Sequence, residues 1–67
     1  MSKQLTQKEL MYLNDYLGAE EKIIKKFNDS SQRIKDAQAK GLLNAAANMH
    51  QAHFDILKKH VDMTSMQ

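Results

Sequence analysis

Apolar residues in the first half of the chain recur at alternating intervals of three and four. The row runs Leu10, Leu13, Leu17, Glu20, Ile24, Phe27, Ser31 and Ile34, with Glu20 as its only charge. This spacing lays one stripe along an α-helix and marks the seam of a bundle. Tyr16 and Ile23 widen the stripe on one side. The helix has a start signal in Thr6-Gln7-Lys8-Glu9. Thr6 is the N-cap of a capping box and Glu9 reaches back to it, with Leu5 and Leu10 in staple positions. A second row, Ala39, Leu43, Ala46, His50, His53, Leu57 and His60, repeats the rhythm in the other half. Beside it Leu42, Met49 and Ile56 stand seven residues apart, so the second stripe is wide enough to cover more than one neighbour.

Two stripes of this kind predict an all-α, two-helix antiparallel hairpin that dimerises into a four-helix bundle. Tyr16, Ile23, Leu42, Met49 and Ile56 are the expected interface residues. Two turn positions compete. Asp36 can cap a helix starting at Ala37, and the polar cluster Asn28-Asp29-Ser30-Ser31 is itself a turn signal. The seam stays in phase from Phe27 to Ile34, which favours a turn at 35–37. The helices then cover about 6–35 and 37–61, roughly 44 and 38 Å long at about 1.5 Å per residue. Residues 62–67 form a fraying tail.

The turn position decides the chemistry. Facing residues of a hairpin have numbers that sum to about twice the turn position. A turn near 36 therefore sets Glu20 level with the pair His50 and His53. Buried ionisable groups are costly unless paired or metal-bound. Glu20, His50 and His53 are thus either a hydrogen-bonded polar layer or the ligands of a divalent transition metal, with zinc, copper, nickel or iron as options. Ser2, Ser30, Ser31 and Ser65 have no base partner recognisable in the sequence, and nothing points to a nucleophilic enzyme.

Composition narrows the rest. The chain of 67 residues carries a net charge of +2, with no proline and no cysteine. Disulfide frameworks and thiolate metal sites are excluded. Lys22, Lys25 and Lys26 are interleaved with acids and lack neighbouring aromatics, so they read as a solvated face rather than a nucleic-acid footprint. No apolar run is long enough for a membrane span, and the polar start carries no signal-peptide pattern, which fits cytoplasmic synthesis. Chains this short bury little surface alone, so oligomerisation is the natural source of stability.

Short stretches throughout the chain resemble the small spore coat protein F-type proteins of endospore-forming bacteria, a ferritin-like group. They are Leu5-Thr6-Gln7-Lys8-Glu9, residues 13–20, Lys26-Phe27, Asp36-Ala37-Gln38-Ala39-Lys40 and His50-Gln51-Ala52-His53-Phe54-Asp55-Ile56-Leu57. The resemblance implies a structural, non-enzymatic component that acts by helical-bundle assembly, with other coat-type proteins as partners and the spore coat as destination. There is one departure. The ferritin-like pattern is Glu-x-x-His, and this chain has His50-x-x-His53. Glu20 and His53 match; the second carboxylate does not. A metal-binding bundle, with redox activity as an option, is the alternative reading, and its nitrogen-rich donor set suits zinc, copper or nickel better than a di-iron pair.

Overall fold

The computed structural model describes residues 5–65. They form two helices, α1 (Gln7–Arg33) and α2 (Ala37–Ser65), folded back on each other as a hairpin. Thr6 caps α1: its Oγ1 accepts the Glu9 backbone N–H at 3.0 Å, and Glu9 Oε1 accepts the Thr6 N–H at 3.0 Å. The two otherwise unpaired donors are satisfied reciprocally, which anchors the first turn.

The chain turns over residues 34–36. Ile34 donates its N–H back to the Ser30 carbonyl at 3.0 Å, then leaves the helix in an extended conformation (φ −81°, ψ 140°). Asp36 starts α2. Its Oδ1 accepts the Ala39 N–H at 2.9 Å and its carbonyl accepts the Lys40 N–H at 2.9 Å. The competing turn signal at 28–31 is absorbed into α1, where the Ser31 hydroxyl donates to the Asn28 carbonyl at 2.8 Å. A serine can therefore sit buried in the seam without an orphaned hydroxyl.

Every position of the first row turns toward α2: Leu17, Glu20 and Ser31 are buried, and Leu10, Leu13, Ile24, Phe27 and Ile34 are half-buried. On α2 the seam differs from the expected one. Ala47, Phe54, Val61 and Thr64 face inward with Leu43, His50 and Leu57, whereas His53 and His60 are exposed. The inward row keeps the alternating three–four spacing and shares Leu43, His50 and Leu57 with the expected one, but alternate members slip by one, to Ala47, Phe54 and Val61; Ala39 and Ala46 stay half-buried. Ala47 is the tightest contact at 3% exposed, and a small side chain there lets the helices approach closely.

The C-terminal end also departs from expectation. α2 continues through Ser65 instead of fraying from Asp62. Val61 and Thr64 are buried, Lys58 Nζ pairs with Asp62 Oδ1 at 2.9 Å, and the Thr64 hydroxyl donates to the His60 carbonyl at 2.9 Å. Burial against α1 and local pairing hold the last turns. Residues 66–67, also expected to fray, lie outside the described residues.

The hairpin is a slab of 49 × 19 × 12 Å with a radius of gyration of 15.2 Å, against about 11 Å for a compact chain of this length. Its accessible surface is 5595 Å². A compact monomer of 7.7 kDa exposes about 4,300 Å². Among the described residues no large side chain is completely enclosed. The described residues form a single layer of two helices.

Candidate metal site and apolar face

Halfway along the slab, α1 presents Glu20 and α2 presents His50 and His53. Glu20 is 8% exposed, unusual for a carboxylate, and is stabilised by its partners. His50 Nδ1 lies 2.5 Å from Glu20 Oε1, and His53 Nδ1 lies 3.4 Å from Oε2. The shorter contact is a hydrogen bond between the His50 ring nitrogen and the Glu20 carboxyl oxygen, with the donor set by the tautomer of the ring. The inner ring is further fixed by Phe27, stacked on His50 with centroids 5.6 Å apart and planes at 27°. His53 meets His50 edge-on, centroids 5.6 Å apart at 80°. The inner histidine side chain is 28% exposed and the outer one 51%.

Helix geometry explains the convergence. Residues three apart on one helix share a face, so His50 and His53 both reach Glu20 from α2. The turn at 34–36 sets the level. Sequence spacing identifies all three members. It misses Phe27 as the ring that orients His50; the signal is an aromatic two helical turns beyond Glu20 on the same row.

The donor set fits a transition metal. One oxygen and two nitrogens can be chosen that all lie within 4.8 Å of one another. Zinc bonds of about 2.0–2.2 Å in tetrahedral geometry separate adjacent ligands by about 3.3 Å, close to the 3.4 Å between Glu20 Oε2 and His53 Nδ1. The Glu20–His50 contact, at 2.5 Å, is a hydrogen bond and closer than two ligands of one ion would stand. Every buried side-chain nitrogen and oxygen among the described residues already has a hydrogen-bond partner, so the same geometry also serves as a satisfied polar layer.

Beside the cluster lies an apolar face. Tyr16, Ile23, Leu42, Met49 and Ile56 are all exposed, from 37% for Ile23 to 68% for Ile56. Met63, seven residues after Ile56, continues the row and is exposed too; a helix assumed to end at 61 hides it from a sequence reading. Site and face share a boundary. A recess of about 330 Å³ is lined by Tyr16, Glu20, His53, Ile56 and Leu57. The opposite flank is polar, with Lys25 paired to Asp29 at 3.2 Å and Gln51 donating to Asp55 at 3.0 Å. No described helix is long and apolar enough to cross a membrane. Comparison with known protein families, with curated proteins and with solved structures finds no match.

Proposed function

We propose that this chain is a structural self-assembly protein whose hairpins pair through the apolar face into a ferritin-like four-helix bundle. The observation that carries the reading is the exposure of Tyr16, Ile23, Leu42, Met49 and Ile56 together on the slab. Soluble monomers rarely leave an apolar patch of this extent uncovered. The chain exposes about 1,300 Å² more than a compact monomer of its mass, and one partner in a standard interface buries about 800 Å². A second hairpin supplies the missing layer. The resemblance to spore coat F-type proteins adds coat-type proteins as further partners, met by the charged outer faces, and the spore coat as location. The action is non-enzymatic. Sedimentation equilibrium tests it: a species of twice 7.7 kDa at micromolar concentration is expected, and a monomer at every concentration sinks the reading.

A second reading is a metal-binding bundle, favoured by the convergence of Glu20, His50 and His53. Elemental analysis of untagged protein tests it. About one ion per chain or per dimer is expected, lost in Glu20→Gln. Protein that refuses zinc, copper, nickel and iron leaves the three residues as a polar layer.

A further inference from the structure

We propose that divalent metal binding at Glu20, His50 and His53 is thermodynamically linked to self-pairing of the hairpin, the second copy closing the open side of the ion. The inference rests on both readings above and adds their coupling.

Three observations carry it. First, the recess that exposes Glu20 and His53 is walled by Tyr16 and Ile56, two members of the apolar face. Whatever covers that face covers the cluster. Second, the cluster is closed on its inner side, where Phe27 stacks on His50, and open at the half-exposed His53. An ion held by these donors has three ligand residues among the described ones and keeps an open position toward the face. Third, the cluster sits at the middle of the face. Glu20 lies between Tyr16 and Ile23 on α1, and His50 and His53 lie between Met49 and Ile56 on α2.

The third observation selects a second copy as the occupant. Most homodimers pair the same patch on both subunits about a two-fold axis. When two slabs stack face to face, that axis lies in the interface, either along the helices or across them. An axis along the helices sets equal levels opposite each other. An axis across them sets levels opposite that are symmetric about the midpoint of the face. A cluster at the midpoint meets its own copy in both cases. Two Glu20 carboxylates, two His50 rings and two His53 rings then converge, and the open position of each ion faces donors of the other chain. An off-centre cluster would meet apolar side chains in the crossed arrangement.

Coupling of this kind is reciprocal: zinc tightens the dimer by the factor by which dimerisation tightens zinc, commonly about 5- to 150-fold. The test is sedimentation equilibrium of the untagged full chain in EDTA and in zinc(II), for wild type, His53→Ala, Glu20→Gln and His60→Gln. The expected result is a dimer in EDTA whose Kd falls at least about tenfold in zinc. Each judged against its own Kd in EDTA, His53→Ala and Glu20→Gln should keep helical circular dichroism but lose the zinc response. His60→Gln, which alters an exposed histidine outside the cluster, should keep it. Equal Kd in EDTA and zinc overturns the linkage while leaving self-assembly intact. A monomer in both overturns self-assembly and the linkage together. A zinc response that survives His53→Ala and disappears in His60→Gln places the ion elsewhere and overturns the assignment.

Discussion

The two long faces of the hairpin come from the same pair of helices and are finished differently. The polar face is stitched within each helix. Lys25 reaches Asp29, Gln51 reaches Asp55 and Lys58 reaches Asp62, each pair four residues apart. Pairs at this spacing need no partner, and their heads stay hydrated. The apolar face has no comparable local solution. Tyr16, Ile23, Leu42, Met49 and Ile56 can leave water only by meeting another surface. One face completes itself along the helix; the other is left apolar and exposed in the described hairpin. The Glu20 cluster lies on the boundary between seam and apolar face, where its inner histidine belongs to the fold and its outer one to whatever arrives.

The contrast breaks most severely at Ile56. Ile56→Asp should weaken the proposed dimer by about 10²- to 10⁴-fold, because about 1.5–3 kcal/mol of burial would be lost on each of two symmetric copies. Sedimentation equilibrium reads the change, and a variant that dimerises like the wild type removes the apolar face from the interface. Leu17 belongs to the seam between the faces and is 7% exposed. Leu17→Ala should lower unfolding stability by about 2–5 kcal/mol in urea titration, by lost burial and by the cavity left behind. A loss below 1 kcal/mol would mean the seam is loose. On the polar side effects shrink. Gly18 lies inside α1 and lines a recess with Asn14, Glu21 and Lys58, and a Cβ built on it meets nothing within 4 Å. Gly18→Ala should therefore raise stability by about 0.5–1 kcal/mol, seen as a higher Tm. Lys58→Ala should cost about 0.3–0.5 kcal/mol with the dimer Kd unchanged. A dimer defect in that variant would contradict the division of labour between the faces.

What was legible in the sequence follows the range of the forces involved. Thr6 and Glu9 identify a capping box because both partners lie within one turn. Asp36 identifies the start of α2 for the same reason. The seam of α1 is readable because its apolar residues fall on one row. The seam of α2 is not, because apolar residues occupy two rows one residue apart. Ala46 and Ala47, His53 and Phe54, and His60 and Val61 are neighbours in sequence, and either member of each pair keeps the spacing. Which row turns inward is decided by packing against α1, a contact some thirty residues away. The same slip leaves His53 half-exposed rather than central, so the cluster was readable as a set of residues but its open side was not. The end of α2 is not legible in the sequence, because Thr64 reads as a polar tail residue, whereas its hydroxyl bonds the His60 carbonyl.

The short turn at 34–36 has a consequence for how the hairpin can be joined to anything else. Helices of 27 and 29 residues, linked by so few, run nearly in register, so the two ends of the described chain leave from the same pole of a 49 Å slab. A domain or label attached at either end stands at that pole, clear of the mid-slab cluster. The opposite pole, made only of the turn, needs no residue with positive φ and is held by backbone caps. The described hairpin is therefore a rod with both chain ends at one tip and a blunt turn at the other, suited to being strung or tethered without disturbing its long faces.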